Sequence, residues 1–292
     1  MVRKQWAQVV ALCGAFLAVV GCKSEDDNMP DVTHTYVVSS LSLPAMTGTN
    51  AAVGFDLDGV NSTGTCATEP CTCVENNPDF VSADDPTQTG IDNTLSILVP
   101  TLESFLTSGG TIDDTLLEQI AEGALLIMIE VSKVNSYQND DDVVVQFHLG
   151  AVPEGSTIQV EGSMIAADQV FDATPVGSPI TGSIVGGRLR FSAPEVTIPI
   201  KAGGFALDLH LRSARLEANI TPTRLVGGVL GGSVNVSEVA DAVEEARPGL
   251  GDTVLSVLGE SADMSPSATD MEMCTALSAG MRFGAISAEI SE

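Results

Sequence analysis

Aromatic side chains are scarce in this sequence, where Phe, Tyr and Trp make up only 4% of 292 residues. Trp6 is the single tryptophan, and Tyr36 and Tyr137 are the only tyrosines. Sugar-binding faces are usually built on aromatic rings, which offer a flat apolar surface with a polar tip. The shortage therefore disfavours a lectin-like function. It also requires a folded core to be built mainly from Val, Ile, Leu and Ala.

Basic residues are also few, with 12 Lys and Arg against 39 Asp and Glu and a net charge of −27. Between Ser24 and Ser132 there is no Lys or Arg at all. A chain this acidic repels nucleic acid and anionic lipid headgroups, so neither is expected as a partner. The hydrophobic content of 44% is too high for a disordered chain, and the length suffices for a sizeable core.

The sequence contains no G-x-S-x-G nucleophile elbow, no H-E-x-x-H zinc site and no G-x-x-x-x-G-K phosphate loop. His34, His148 and His210 are the only histidines. His34 is predicted to lie in a polar segment before the folded domain, and the other two on strands. A hydrolase built on paired carboxylates stays open, but an abundance of acids does not locate one. We therefore expect a non-catalytic protein.

The first residues have the parts of an export signal. Arg3 and Lys4 supply positive charge, residues 6–20 are mostly apolar, and Val19-Val20-Gly21-Cys22 follows. This ending resembles the lipobox of bacterial lipoproteins. The resemblance implies that residues 1–21 are removed and that Cys22 is acylated, with palmitate among the acyl groups. A retained membrane helix is disfavoured because spanning needs about 20 apolar residues.

The same resemblance suggests where the protein is located. Several acyl chains would hold it firmly on a membrane, since a single chain binds only marginally. Lys23, rather than an aspartate, follows Cys22, which implies the outer membrane, facing either the periplasm or the cell surface. Residues 22–34 are polar and acidic and are predicted to form a tether. Residues 35–292 are predicted to form a single β-rich domain.

Cysteine usage predicts disulfide bonds. Once Cys13 is removed and Cys22 acylated, the chain retains four cysteines: Cys66, Cys71, Cys73 and Cys274. In an exported protein this number favours two disulfides. Cys71 and Cys73 are too close in sequence to bridge each other easily, so Cys274 is expected to bond to one of them and Cys66 to the other. A thiolate metal site is the alternative.

The predicted fold is mainly β, an antiparallel β-sandwich or a curled sheet. Residues 205–211 and 216–220 alternate apolar and polar side chains, as strands with one buried face do. Residues 125–134 and 143–149 are predicted to form a central hairpin. Further strands are predicted at 36–43, 51–58, 157–166, 188–192, 195–200 and 281–290, and the first and last are expected to be neighbours. Glycine doublets at 186–187, 203–204, 227–228 and 231–232 are interpreted as turns or bulges.

Helices are predicted in two regions. A helical insertion covers about residues 86–124, with helices at 91–106, where Pro100 should introduce a kink, and at 113–124. C-terminal helices are predicted at 236–246 and 266–279, the second because Ser265 and Gly280 have suitable capping positions.

Acidic loops make calcium the one cofactor that the sequence suggests. Asp56, Asp58 and Asn61 resemble the front half of a calcium loop but lack its distant glutamate. Two other groups are predicted to lie in loops without neutralising Lys or Arg nearby: Asp84, Asp85 and Asp92, and Asp140, Asp141 and Asp142. Solvated turn residues are the alternative, because Asp and Asn are common turn formers.

The leading hypothesis is a lipid-anchored cell-envelope protein that acts as a non-catalytic binding or structural module, with another envelope protein or a polymer as partner. The alternative is a carrier that holds a lipid or another apolar ligand inside a curled sheet. A carrier requires a continuous apolar cavity, and a packed interior would exclude it.

Overall fold

The structure is a computed structural model, and it describes residues 30–46, 48, 50–64, 72–106, 110–202, 205–266 and 273–291. The strands are β1 (Val32–Ser42), β2 (Ala51–Ala52), β3 (Phe80–Ser82), β4 (Thr89–Ile91), β5 (Ile127–Val134), β6 (Asn139–Ala151), β7 (Val160–Glu161), β8 (Met164–Ile165), β9 (Gln169–Val185), β10 (Arg188–Ala202), β11 (Phe205–Thr221), β12 (Arg224–Asn235), β13 (Met264–Pro266) and β14 (Cys274–Ile290). The helices are α1 (Cys73–Asn76), α2 (Leu95–Leu106), α3 (Ile112–Ala121), α4 (Val236–Ala246) and α5 (Gly251–Gly259).

The main sheet closes into an eight-stranded antiparallel barrel in the order β1, β5, β6, β9, β10, β11, β12, β14. Closure occurs at β1, which pairs with β5 on one side and with β14 on the other. The mainly β prediction is confirmed, but a barrel replaces the expected sandwich. The physical reason is that closing the ring removes the free edges that two separate sheets would leave.

Two predicted strand pairings are confirmed. β5 and β6 form the expected hairpin, in which Ile129 lies opposite Phe147. The first and last strands are neighbours, with Tyr36 opposite Ser287. β1 begins at Val32, so residues 32–34, which the sequence assigned to the tether, are part of the barrel wall.

Alternate residues of each strand point into the barrel, as the period of two dictates. At one end the interior is packed solid around Tyr36, whose hydroxyl donates to the Thr221 carbonyl at 2.7 Å, and around buried Val143, Ile184 and Leu189. The four longer helices lie at the other end, which we call the helical end. The core is therefore built from aliphatic side chains, as the scarcity of aromatics required.

The predicted helices are confirmed where the sequence has clear helical spacing. The predicted insertion contains α2, with Pro100 inside it, and α3, where the Thr111 hydroxyl accepts from the Asp114 N–H at 3.0 Å. The bounds of α4 match the prediction, and its cap is Asn235.

The helix predicted at 266–279 is wrong, because β13 and the start of β14 occupy the described part of that segment. There Leu277 pairs with Val234 of β12, and strand pairing overrides the capping signals that favoured a helix.

Two long strands, β9 and β12, were not predicted. β12 contains the glycine doublets 227–228 and 231–232, of which only the first interrupts the pairing with β14 as a bulge. Gly231 and Gly232 pair regularly with β14, and the positions of their missing Cβ atoms lie 2.9 Å from the Phe55 ring and from the Arg212 carbonyl. These glycines permit close packing rather than a turn. The doublet 186–187 forms the β9–β10 turn as predicted, and 203–204 lies outside the described residues.

Candidate functional site

An apolar cavity of about 240 Å³ occupies the helical end of the barrel interior. Its wall comes from inward-facing residues of seven of the eight barrel strands. β14 illustrates the alternation, since Leu277, Ala279, Met281 and Phe283 all line the cavity while the residues between them point outward. The period of two that builds the packed core therefore also builds the cavity.

The helices cover this end of the barrel. α2 and α3 contribute Leu95, Leu102, Ile112 and Leu116 to the lining. α4 and α5 form a helical hairpin, which we call the lid, and it contributes Val239, Val243, Leu250, Val254 and Val257, all half-buried. Thr253 is the only lining residue with a polar side chain among those described. The cavity therefore offers dispersion contacts and almost no hydrogen bonds.

Charged side chains hold the lid on the barrel. Arg212 of β11 donates through Nη2 to Glu238 Oε1 of α4 at 2.6 Å, and its Nε lies 3.7 Å from Glu195. The turn between α4 and α5 is closed by Glu244, whose carboxylate accepts from the N–H groups of Gly249 and Gly251. These hydrogen bonds favour the ionised form and lower the pKa of Glu244.

Outside the barrel, Asp56, Asp58 and Asp92 converge, each with one carboxylate oxygen within 4.8 Å of the others. Asp92 follows β4 and is buried, whereas Asp56 and Asp58 are half-buried. Asp92 Oδ2 accepts from the backbone N–H groups of Leu57 at 2.5 Å and Asp58 at 3.3 Å, which fixes the loop around it. Three of the predicted calcium residues are thus brought together, although from two of the predicted groups.

Burial is the main cause of the unusual electrostatics at Asp92. It raises the pKa of this carboxyl to about 8, against the opposing effect of the Leu57 N–H, and nearby Asp58, Asp79 and Asp263 raise it further. Burial likewise raises the pKa of Asp79 and of Asp263. A divalent cation between the carboxylates would lower their pKa values instead, because it stabilises their charged forms.

The remaining predicted calcium residues are not part of this cluster. Asp84 pairs with Arg282 at 2.6 Å and Asp142 with Lys133 at 3.3 Å, so both loops do have basic neighbours, contrary to the sequence interpretation. Asp85 and Asp140 accept from backbone N–H groups of their own loops, and Asp141 is exposed. Asp84 and Asp85 therefore have a structural role in their turn, whereas Asp140, Asp141 and Asp142 lie at the start of β6.

Asn61 lies near the carboxylate cluster without joining it. Its amide donates to Thr89 Oγ1 at 2.9 Å. The structure thus assigns Asn61 to holding its loop against β4.

One predicted disulfide partner is resolved: Cys274 bonds to Cys73, with the two Cα atoms 5.7 Å apart. The bond joins α1 to the first residue of β14, across a sequence separation of 201. Cys66 and Cys71, and the proposed lipidation site Cys22, lie outside the described residues.

The histidines are dispersed. His148 is buried on β6, and neither of its ring nitrogens has a hydrogen-bond partner among the described residues; its closest carboxylate is Glu130 at 3.7 Å. Burial lowers the pKa of His148, so its neutral form is favoured. His210 lies on β11 beside Glu195, and His34 contacts Tyr137.

Comparisons of the chain with protein-family models, with curated proteins and with solved structures found no match. Within the described residues, no helix has the length and apolarity needed to cross a membrane.

Sequence reasoning missed the lid helix α5 and the cavity beneath it. The signal present for α5 is the spacing of Val254, Val257 and Leu258, but glycines at both ends and the short length obscured it. No local pattern marks a cavity, because residues around a void have the same inward alternation as residues in a dense core.

Proposed function

We propose that this protein is a lipid-anchored cell-envelope protein that binds an apolar ligand inside its barrel. The cavity at the helical end is the observation that carries the proposal. Between the two hypotheses raised by the sequence, it favours the carrier over a purely structural module, because a carrier needs an enclosed apolar volume.

The size of the cavity supports occupancy. An engineered cavity of about 150 Å³ is large enough to bind benzene. At about 24 cal/mol per Å³, leaving the 240 Å³ here empty costs about 6 kcal/mol. This cost is comparable to the whole stability of a typical domain, about 5–15 kcal/mol. A ligand that fills the cavity would recover much of it.

The lining defines the ligand class. Because the described lining offers only one hydroxyl, the part of the ligand that enters must be apolar, such as the end of a hydrocarbon chain. A charged or strongly polar group inside would lose its hydration without compensation. A single hydrocarbon chain therefore fits the cavity better than a polar metabolite does.

The test is a fluorescence titration with N-phenyl-1-naphthylamine, a neutral apolar probe. Two variants of β12 carry the same substitution. Val234→Phe places a larger ring into the cavity, whereas Val226→Phe lies on the outer surface, where the residue is 50% exposed. We expect saturable binding for the unsubstituted protein and for Val226→Phe, and a loss of affinity of roughly tenfold or more for Val234→Phe.

Both variants should unfold at temperatures close to that of the unsubstituted protein, since Val234→Phe fills a void. Equal binding by the two variants would place the probe elsewhere and contradict the proposal.

The membrane anchor belongs to the same proposal and rests on the lipobox-like sequence at Cys22. Mass spectrometry of the N-terminal peptide should show an acylated Cys22 as the first residue. A Cys22→Ser variant should lose the acyl mass, and an unmodified Cys22 in the native host would contradict this part.

Calcium at Asp56, Asp58 and Asp92 is a second candidate function, favoured by their convergence. Added calcium should raise the melting temperature at about pH 8, where Asp92 is ionised in a larger fraction of molecules than at neutral pH, and excess chelator should reverse the shift. The variant Asp58→Asn should weaken the effect, while Asp141→Asn at the exposed start of β6 should not. An equal response from both variants would exclude the site.

A further inference from the structure

One interface in the barrel wall is incompletely paired. β10 pairs with β11 over 14 residue pairs, and β6 pairs with β9 along nearly its whole length. β9 and β10, by contrast, share only four pairs, between residues 182–185 and residues 188–191. Beyond these pairs no ladder joins the two strands in the described chain, and the first residues of β9 pair instead with residues 288–290 of β14. We call this unpaired interval, between residues 172–181 and residues 192–202, the seam.

Prolines on both sides of the seam prevent it from pairing. Pro175 and Pro179 lie on β9, and Pro194 and Pro199 lie on β10. None of them has a backbone N–H to donate across the seam. Prolines also discourage addition of a strand from another chain, so the edges are poor sites for β-augmentation. The seam is therefore kept open as a feature of the barrel rather than as a docking edge.

The seam lies beside the cavity. Phe147 of β6 and Ile198 of β10 both line the cavity, while β9, the strand between them in the barrel order, contributes no lining residue. Half-buried Ile180 and Ala193 pack against the core from the two sides of the seam. Apolar side chains therefore flank the interval that has no backbone hydrogen bonds between β9 and β10.

We propose that the seam between β9 and β10 is the passage through which an apolar ligand enters and leaves the cavity. The inference rests on the proposed function, because a passage has meaning only if the cavity binds a ligand. A hydrocarbon chain would enter by its apolar end and displace the side chains of Ile180 and Ala193. A polar group on the ligand would remain in the seam, in contact with water.

Other routes require more interactions to be broken. At the other junctions of the barrel the ladders are longer, from five residue pairs between β1 and β5 to 14 between β10 and β11, and separating them exposes backbone groups. Lifting the lid breaks the pair between Arg212 and Glu238, which has a 2.6 Å contact. Opening the seam breaks no ladder hydrogen bond, and the adjacent Ile180 and Ala193 are only half-buried.

The experiment is stopped-flow mixing of the purified full chain with N-phenyl-1-naphthylamine, which yields association and dissociation rates. Ile180→Ala should widen the seam and raise both rates by roughly threefold or more, with Kd unchanged within about twofold. Ala193→Leu should narrow it and slow both rates.

The matched control is Ile286→Ala, the same change at a half-buried residue of β14, which pairs on both sides with Val37 and Arg224. Its rates should equal those of the unsubstituted protein.

A variant of the lid distinguishes entry through the seam from entry beneath the lid. Glu238→Ala removes the contact with Arg212, and we expect unchanged rates. Faster exchange in Glu238→Ala with no effect of Ile180→Ala or Ala193→Leu would overturn the seam in favour of the lid. If the unsubstituted protein shows no saturable signal at all, the proposed function itself is contradicted, and the passage with it.

Discussion

At the scale of single residues, Asp92 is the most unusual group in the described chain. Its carboxyl is buried next to three other aspartates, and its oxygen accepts two backbone N–H groups of the loop at Leu57 and Asp58. The burial that holds the loop in place also favours the protonated acid. Aspartates are commonly ionised at neutral pH, whereas the environment of Asp92 favours the protonated form. The stability of the protein should therefore depend on pH.

The pH dependence of stability follows from Asp92. Its pKa is about 8 in the folded protein and about 3.9 when unfolded, so the folded state holds an additional proton between these values. Stability is therefore greatest at the acidic end of this window and falls as pH rises toward 8, by at most about 1.4 kcal/mol per pH unit for one proton. Urea unfolding at about pH 5 and about pH 8 measures the difference.

The control is Asp92→Asn, which keeps the shape and removes the titration. It should reduce the pH dependence, leaving the contributions of Asp79 and Asp263, which have the same sign. A protein equally stable at both pH values, or an Asp92→Asn variant with the unsubstituted slope, would show that Asp92 ionises normally.

At the scale of elements, β14 shows how tertiary contacts override local signals. Its first residues look like a helix that ends at Gly280. In the structure Gly280 is mid-strand, and a Cβ there would lie 2.1 Å from the Val53 carbonyl oxygen. The glycine allows the segment leading to Asp56 to lie directly against the barrel, so its role is close approach and not helix termination.

Gly280→Ala should therefore lower the free energy of unfolding by about 1–3 kcal/mol or more, because backbone atoms would have to move. Gly259→Ala at the end of α5 is the matched comparison. A Cβ there meets nothing within 4 Å, and the change should alter stability by less than about 1 kcal/mol. Equal stabilities of the two variants in denaturant titrations would mean that the contact at Gly280 relaxes freely.

The elements that the sequence predicted correctly are those with undisturbed periodicity. The β5–β6 hairpin and α4 have continuous apolar patterns and clear ends, and each was predicted close to its observed bounds. β9 was missed because Pro175, Gly177 and Pro179 interrupt the pattern that would mark a strand. Those same prolines border the seam, so the local departure from strand chemistry coincides with the point where the barrel wall is unpaired.

The aspartate cluster and the cavity also differ in how far the sequence predicted them. Residue chemistry alone predicted Asp56, Asp58 and Asp92 as candidate cation ligands, and the structure brings them together. Sequence could not separate them from Asp84 or Asp142, since Arg282 and Lys133 approach those residues only in the folded chain. The cavity had no local signature either, because it depends on how seven strands and four helices meet.

At the scale of the whole molecule, the barrel has two dissimilar halves. One end is packed solid around Tyr36 and closed by its hydrogen bond to Thr221, and the other holds the cavity under the lid. The bond between Cys73 and Cys274 fixes the start of β14 at the helical end. A rigid half and a hollow, helix-covered half are the arrangement expected of a protein that retains its fold while a ligand enters and leaves.

The most direct test of ligand binding in the cavity is a crystal structure of the protein soaked with a short brominated alkane. The bromine atom scatters X-rays anomalously, so its position is seen independently of the rest of the density. The account predicts an anomalous peak inside the barrel between Val234, Val254 and Met281, which disappears in Val234→Phe. A cavity that stays empty in the soaked crystal, or a peak only on the outer surface, would contradict it.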